Sequence, residues 1–493
     1  MTSIYRIRLR FLLLQWIAVA ITLPLVYWVE LQDSLKLLVA ISLWVICSYS
    51  YLFYEELRRD EDFNPILIMI LATIQYTGIN GLSLYNDVQS GDVYNISFFR
   101  ASDILSLGAV YLLLEHTLIL TGYYYLLYKK RKEDRSRIIV NIKKSKINFL
   151  QFAIISYIFI ILLRLIDHYI FSLALISSFL NSFKNYGYMV ALLFVVFHKL
   201  KYRSAFANYV YWTIALLEMY LVLGTGMKEM ILRPVLPYAI YLVIKYKIDK
   251  KHFSFSSFVG ILVVFVFTLF FVFPYVSIFR QNAIHNKITW SEVSISNVFD
   301  EYLDYLSDSE EYERKYGLKG ISYDYALSRA GSIGANSFAI AYVDKYNPDP
   351  QFIKDCFTAI IPRVVWWDKP LVLIGAKISN LVRHDSYSVD EESINSDTLG
   401  FIGACYFGLG IMGAIFIPLI LGLFMGFIWV TIKKSLHSNV VSIWVFISLV
   451  VLFLKDFESL YDCGFTYILF NVVYLFLIWL IEKWPKKAVK THI

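Results

Sequence analysis

The sequence is poor in charge: of its 493 residues only 17% are Asp, Glu, Lys or Arg, whereas 58% are hydrophobic. A soluble domain carries nearer one quarter charged residues, and its core cannot hold so large a share of apolar ones. The mean hydropathy of the chain is +0.57. The composition therefore excludes an ordinary soluble domain and predicts an integral membrane protein.

The chain also has few cysteines, only four, and they are scattered without a CxxC pair. Because disulfide frameworks and zinc sites need paired cysteines, the sequence favours neither. No internal repeat is visible, which argues against a transporter built from inverted repeats. The first apolar stretch, about 11–29, lacks a small-residue cleavage site, so we expect a retained span and not a cleaved signal peptide.

The sequence is rich in long apolar segments. A hydrocarbon core about 30 Å thick is crossed by roughly 20 apolar residues of helix. The expected fold is therefore all-α and polytopic, with about twelve transmembrane helices. The segments are 11–29, 37–54, 65–83, 104–128, 148–166, 186–198, 206–223, 230–244, 257–276, 403–430, 440–454 and 464–482. A further segment, 170–183, is a candidate for an interfacial helix.

Basic residues lie in every second connection between these segments, and the densest run is KKRKEDRSRIIVNIKKSK at 129–146. Basic loops stay on the cytoplasmic side of a membrane. We therefore expect both termini and 129–146 to be cytoplasmic. The same rule explains the basic run without nucleic acid, so membrane lipid is expected around the protein and no nucleic-acid partner.

One connection is long. Residues 277–398 separate nine predicted spans in 1–276 from three in 399–493, and they hold 12 Lys and Arg against 18 Asp and Glu. A loop of such length is usually functional or disordered, and its many apolar and aromatic residues predict a folded one. Three stretches, 291–317, 325–346 and 350–370, are expected to be helical.

Several charged residues lie at predicted span ends. Arg164, Asp167 and His168 end the fifth span and form either an interfacial cluster or a functional one. In LGTGMKEMILRP (223–234), Lys228 precedes Arg233, which we expect about one turn inside the membrane. A cation at that depth more often faces an anionic or water-filled site than lipid, although Lys228 and Glu229 could simply pair at a helix end.

Cations in the acidic loop suggest a specific anionic ligand, because guanidinium forks bind phosphate oxygens through two hydrogen bonds. Arg280 follows the ninth span and could instead be a helix-end anchor. The Trp366–Trp367 pair could stack on sugars or lie in the membrane interface. The other cations at irregular spacing are Arg329, Arg363, Lys369 and Arg383.

Three segments resemble those of a known family. IIPRVVWWDKP (360–370) resembles the "IPR-x-x-W-x-x-KP" signature of bacterial oligosaccharide repeat unit polymerases, the Wzy-type O-antigen and exopolysaccharide polymerases. LGFIGACYFGLGIMG (399–413) is similar to their "G-x-x-x-Y-x-x-x-G-x-x-G" segment, and LGTGMKEMIL (223–232) to their "G-x-[RK]" turn. The chain departs from the pattern at Ala404-Cys405, where an acidic residue is common, and at Met227-Lys228.

The resemblance implies an enzyme of the bacterial inner membrane with the large loop in the periplasm. It would transfer a growing glycan from undecaprenyl diphosphate to a hydroxyl of another lipid-linked repeat unit. No cofactor or metal is expected, because arginines can stabilise the charge that develops on the diphosphate. A chain-length regulator protein is a further expected partner.

The expected catalytic residues are Arg280, Arg363 and a general base, which spacing alone does not select among His384, Asp385 and Glu391; Asp385 is taken as the catalytic candidate. The expected substrate-binding residues are Lys228, Arg233, Arg329, Trp366, Trp367, Lys369, Arg383, His384 and Glu391.

Three other functions compete with this one. An O-antigen ligase shares the lipid-diphosphate chemistry and would transfer to a different acceptor. GT-C glycosyltransferases resemble one another in an acidic pair in the first outer loop. In this chain the acidic residues of that loop, Glu30 and Asp33, have the wrong spacing. The nearest correctly spaced pair, Asp60 and Asp62, falls on the cytoplasmic side. A flippase or transporter predicts charged residues and broken helices near the bilayer centre.

Overall fold

In the computed structural model of the protein, the residues with a described structure are 3–28, 31–59, 63–90, 101–129, 142–143, 148–169, 174–223, 234–249, 274–275, 278–279, 295–308, 312, 333–360, 366, 368, 378, 381 and 399–435. These residues form helices and short connections, and no strand occurs among them. The all-α prediction is confirmed for this part of the chain.

The helices, in chain order, are α1 (Ser3–Trp28), α2 (Leu31–Arg59), α3 (Ile66–Thr73), a π-helix (Ile74–Ile79), α4 (Asn80–Ser90), α5 (Ala101–Lys129), α6 (Phe149–Tyr169), α7 (Ala174–Tyr202), α8 (Phe206–Leu223), α9 (Val235–Asp249), α10 (Ile295–Ser307), α11 (Ile333–Tyr346), α12 (Pro350–Ile360) and α13 (Phe401–Ser435).

Five helical segments are long and apolar enough to cross a membrane, by length and composition. They are Ile4–Trp28, Ser34–Arg58, Ile66–Gln89, Asp103–Lys129 and Phe401–Thr431. Each coincides with one predicted span. Phe149–Leu165 and Val235–Tyr246 are shorter apolar helices that coincide with two more. The chain is thus a membrane protein by its helices, while the total of twelve spans and their sidedness stay predictions.

The remaining predicted spans divide into two kinds. Those at 186–198 and 206–223 fall within α7 and α8. The span 257–276 is described only at 274–275, and 440–454 and 464–482 lie outside the described residues. Residues 174–183 form the first part of α7, which continues without a break into the predicted sixth span, and the interfacial location of 170–183 stays a prediction. No proline interrupts this stretch, so nothing in it forces a break.

Helix α5 lies at the centre of the described bundle and is almost entirely buried. It packs against α1, α2, α11 and α13. Its contact with α13 is very close: a Cβ atom added to Gly422 would lie only 2.2 Å from the carbonyl oxygen of Ile119. Gly422 and Gly426 are four residues apart, the spacing at which small residues let two membrane helices approach. Glycine at 422 is therefore required by the packing.

The three helical stretches predicted in the large loop are confirmed where they are described. Helix α10 lies within 291–317, α11 within 325–346 and α12 within 350–370. Helix α10 is amphipathic: Val298 and Tyr302 are buried in a small cluster with Ile278 and Phe279, whereas its other side is exposed.

Candidate functional site

Three tyrosines and one aspartate meet where α1, α5, α11 and α13 come together; we call them the tyrosine–aspartate cluster. The Tyr406 hydroxyl donates to Asp344 Oδ1 at 2.6 Å, and the Tyr27 hydroxyl donates to Oδ2 at 3.3 Å. The Tyr111 hydroxyl lies 3.0 Å from that of Tyr27. A hydroxyl has one proton to donate, so Tyr111 donates to Tyr27 when Tyr27 donates to the carboxylate. Both oxygens of Asp344 are thus held by tyrosines.

The turn between α11 and α12 fixes the end of α11, where Asp344 lies. Asn347 has a positive φ of 74°, and its N–H donates to the Val343 carbonyl at 2.8 Å, which closes α11. Asp349 then begins α12 by accepting a hydrogen bond from the Gln351 N–H at 3.1 Å. Proline at 350 suits the first turn of a helix because no N–H is needed there. The sequence NPDP therefore encodes a tight helix–turn–helix.

The start of α13 is tied to the same two helices. The Gly403 N–H, in the first turn of α13, donates to Asn336 Oδ1 at 3.0 Å, so a buried side chain of α11 satisfies a helix-start donor. The Asp349 N–H donates to the Phe407 carbonyl at 2.9 Å. Gly410 then kinks α13 with φ 61° and ψ −151°, a conformation open essentially to glycine alone. These contacts position Tyr406 beside α11.

The location of Asp344 is electrostatically unfavourable for a helix. It lies in the last turn of α11, where backbone carbonyls create partial negative charge and a carboxylate is disfavoured. The two tyrosine donors offset that repulsion. Asp344 is nevertheless exposed, and a carboxylate accepts about four hydrogen bonds. Its oxygens therefore have capacity for further donors from a ligand.

Aromatic rings surround this carboxylate. Tyr111 and Tyr406 pack edge to face with ring centroids 5.0 Å apart, and Tyr342 stacks on Phe407. Tyr27 keeps 52% of its surface exposed although its hydroxyl is bonded. Rings with one apolar face and one polar edge suit a membrane–water boundary and also the flat faces of sugars. The cluster can bind a hydroxyl donor and present an aromatic surface to its carbon skeleton.

Most residues predicted as site residues lie outside the described part of the chain. Trp366 is described, and its ring is exposed. The others, whose roles stay predictions, are Lys228, Arg233, Arg280, Arg329, Arg363, Trp367, Lys369, Arg383, His384, Asp385 and Glu391.

The predicted cluster at the end of the fifth span has a partner that the sequence did not reveal. Both Arg164 terminal nitrogens donate to Glu218 of α8 at 2.7 Å, and the Tyr157 hydroxyl donates to the same carboxylate at 3.0 Å. Glu218 is fully buried. Arg164 thus joins two helices through a forked ion pair. Asp167 and His168 follow in the last turn of α6.

Two further ionisable residues were missed near the middle of α5. Glu115 and His116 are buried, and they lie about halfway along the segment Asp103–Lys129. The π-helix Ile74–Ile79 likewise interrupts the third membrane-crossing segment near its middle. Ionisable residues inside a membrane and π-helical turns both occur preferentially at functional sites. The signal in the sequence was the pair Glu-His within an otherwise apolar span.

The described residues contain no cluster of metal-ligating side chains. Among the described residues, no three His, Cys, Asp or Glu side chains lie together as a group that could hold a metal ion. Because the acidic residues of 382–398 lie outside the described part, the metal-independent mechanism stays a prediction.

Comparison with known proteins gives a family without an assigned activity. No curated protein matches the chain, and no solved structure matches it. One family model matches residues 65–487, and its description is "Domain of unknown function (DUF8712)". The match covers most of the chain, including the predicted long loop and all three motif segments. The chain therefore belongs to the DUF8712 family.

Proposed function

We propose that this protein polymerises undecaprenyl-diphosphate-linked oligosaccharide repeat units at the periplasmic face of the bacterial inner membrane. The proposal includes about twelve spans, cytoplasmic termini and a periplasmic loop 277–398. It rests first on the resemblance of 360–370 and 399–413 to the polymerase signatures.

The observation that carries the proposal furthest is the contact of Tyr406 with Asp344. Tyr406 is the tyrosine of the segment that resembles the family, and Asp344 belongs to the large loop. The sequence lacks an acidic residue at 404–405, but this contact brings a loop carboxylate to the neighbouring position. The segment therefore has an acidic group beside it after all.

The relative helix directions support the alternation of spans that the proposal includes. In the predicted topology α1 runs outward, whereas α5 and α13 run inward, so the end of α1 and the starts of α5 and α13 share the outer side. Tyr27, Tyr111 and Tyr406 come from those three ends, and Asp344 comes from the loop between them. At the opposite end Arg8 of α1 pairs with Glu56 of α2. The tyrosine–aspartate cluster and the Arg8–Glu56 pair thus lie at opposite ends of α1, as the predicted alternation of spans requires.

In the proposed reaction, the oxygen of an acceptor sugar hydroxyl bonds to the anomeric carbon of the donor glycan. The bond from that carbon to the diphosphate oxygen breaks, and undecaprenyl diphosphate leaves with the electron pair. Arg280 and Arg363 would stabilise the negative charge that develops on the diphosphate. The acceptor hydroxyl loses its proton to a base within hydrogen-bond reach.

The test is reconstitution. Purified protein in liposomes is given lipid-diphosphate-linked repeat units extracted from cells that lack this gene, and the products are separated on a gel. The proposal expects a ladder of glycans that differ by one repeat unit. Transfer of single units to lipid A–core, without a ladder, would indicate the ligase instead. A requirement for a polyprenyl-monophosphate sugar would indicate the GT-C enzyme.

A flippase or transporter is the second candidate, and a specific observation favours it. The transporter hypothesis expects charged residues and broken helices near the bilayer centre, and Glu115, His116 and the π-helix Ile74–Ile79 lie near the middle of their segments. In the same liposomes, translocation of repeat units to the other leaflet without any lengthening would support this function and refute the polymerase.

A further inference from the structure

Asp344 has the features of a general base for the acceptor hydroxyl. Its carboxylate is exposed, both oxygens are oriented by tyrosine hydroxyls, and it lies in a helix turn that disfavours negative charge. A carboxylate held at an unfavourable position by tyrosines from two other helices, one of which is bonded to a tyrosine of a third, is poorly explained by helix stability alone.

We infer that Asp344 binds the hydroxyl of the acceptor sugar and takes its proton during glycosyl transfer, an inference that rests on the proposed polymerase function. The acceptor O–H bond breaks as the new bond from oxygen to the anomeric carbon forms. The proton goes to an Asp344 oxygen, and the diphosphate leaves with the electrons of the broken C–O bond. Water then removes the proton from the aspartic acid.

The three tyrosines are positioning residues in this scheme. Tyr406 and Tyr27 each occupy one lone pair of the carboxylate, which fixes its plane, and Tyr111 orients the Tyr27 hydroxyl. Because each oxygen keeps a further lone pair, a sugar hydroxyl can approach without displacing a tyrosine. The exposed ring of Tyr27 adjoins the carboxylate and offers a face to the sugar ring.

The ligand class follows from this chemistry. A carboxylate acceptor next to the exposed aromatic ring of Tyr27 recognises a neutral sugar with free hydroxyls and repels an anionic one. The diphosphate of the donor, being anionic, belongs instead with the predicted arginines. The two substrates thus bind at different places. The acceptor hydroxyl binds at Asp344, and the donor diphosphate binds at Arg280 and Arg363.

The experiment compares Asp344→Asn and Asp344→Glu with a matched control, Asp304→Asn, which changes an exposed aspartate of α10 in the same loop. Each purified variant is assayed in liposomes with extracted lipid-linked glycan chains as donor and lipid-linked single repeat units as acceptor. Asp344→Asn is expected to lower kcat at least about a hundredfold, the usual contribution of a general base. Asp344→Glu should recover part of the rate, and Asp304→Asn all of it.

Substitution of a tyrosine distinguishes a positioning role from a structural one, because a positioning residue affects kcat without affecting KM. Tyr406→Phe keeps the ring but loses the donor, and we expect kcat to fall about tenfold while KM for the lipid-linked donor stays unchanged. Tyr346→Phe, on the same helix as Asp344, is the control with no expected effect. Equal rises in KM for both substrates would contradict a positioning role for Tyr406.

The outcomes distinguish a failure of the role assigned to Asp344 from a failure of the polymerase function. If wild-type protein makes a ladder and Asp344→Asn makes the same ladder, Asp344 is not the base although the polymerase function stands. If Asp344→Asn loses its ladder together with more than a few degrees of melting temperature, the cluster is structural and the inference is wrong. If wild-type protein makes no ladder at all, the proposed function fails and the role of Asp344 with it.

Discussion

Glu56, Glu218 and Asp344 each accept a hydrogen bond from a tyrosine of another helix, yet their surroundings differ. Glu56 is fully buried and accepts from Tyr124 and from two nitrogens of Arg8. Glu218 is arranged in the same way with Tyr157 and Arg164. Asp344 is exposed and, within the described part of the chain, its side chain is held by tyrosines.

The difference in burial and in partners distinguishes the carboxylates that join helices from the one that is presented to a ligand. A buried carboxylate must be neutralised and its lone pairs filled, because an uncompensated charge in a low-dielectric interior costs several kcal/mol. Glu56 and Glu218 meet that requirement with an arginine fork. Asp344 has its charge directed toward solvent, where it can still accept hydrogen bonds. The first two therefore serve the fold, and the third is available for chemistry.

The largest expected effect comes from breaking the buried Arg8–Glu56 pair. Arg8→Met leaves the Glu56 charge buried without its fork, and we expect the free energy of unfolding to fall by about 3–5 kcal/mol. Thermal unfolding in detergent measures it. Arg10→Met changes an exposed arginine two residues on and should have little effect. If Arg8→Met matches Arg10→Met, the pair is not a major contributor to stability.

The double variant Arg8→Met with Glu56→Leu sharpens the same point. Replacing both members of a buried pair by apolar residues is often neutral or stabilising, because the cost of desolvating both charges disappears. We expect most of the lost stability to return. A double variant as unstable as Arg8→Met alone would mean that the Tyr124–Glu56 hydrogen bond, and not the charge pair, is the important contact.

The next effect is on activity. Arg280→Lys and Arg363→Lys should keep the melting temperature but lose about 3–4 kcal/mol of transition-state stabilisation, or roughly 10²–10³ in rate, because lysine lacks the planar fork. The polymer ladder in liposomes measures the rate. If both arginines only pair with surface carboxylates, worth about 0–1 kcal/mol, the lysine variants would retain most of the polymer. That result would remove them from the active site.

A smaller effect is expected at the kink of α13. Gly410→Ala introduces a side chain at φ 61° and ψ −151°, where strain costs of order 1–3 kcal/mol. Because the kink lies one turn after Tyr406, we expect polymer yield to fall further than global stability does. Melting temperature and ladder length, measured on the same sample, separate the two. An unchanged yield would show that the kink does not help to position Tyr406.

The smallest expected effect is that of EDTA. If arginines supply the electrostatic stabilisation, then chelation leaves the ladder unchanged. A ladder that disappears in EDTA and returns with Mg²⁺ or Mn²⁺ would contradict the metal-independent mechanism and favour the GT-C enzyme.

The sequence predicts the helices far better than the cluster. Apolar length alone predicts α1, α2, α5 and α13, because a membrane core admits few other structures. The loop helices α11 and α12 are predicted from the apolar and aromatic composition of their segments. These features are local, so they can be read from neighbouring residues.

The carboxylate partners could not be predicted in this way. Tyr27 and Asp344 are separated by 317 residues, and Tyr406 and Asp344 by 62. Nothing local in the sequence indicates that these side chains meet. Arg164 illustrates the same limit, since its partner Glu218 lies 54 residues further on in another helix. The sequence indicates Tyr406 only as part of a motif, and no motif contains Asp344.

The comparison of carboxylates is tested most directly by Asp344→Asn and Glu56→Gln, prepared in parallel and measured for both melting temperature and polymer yield. We expect opposite outcomes: Asp344→Asn keeps the melting temperature of the wild-type protein and loses the ladder, whereas Glu56→Gln loses stability. A ladder of normal length from Asp344→Asn, or a loss of stability equal to that of Glu56→Gln, would contradict this expectation.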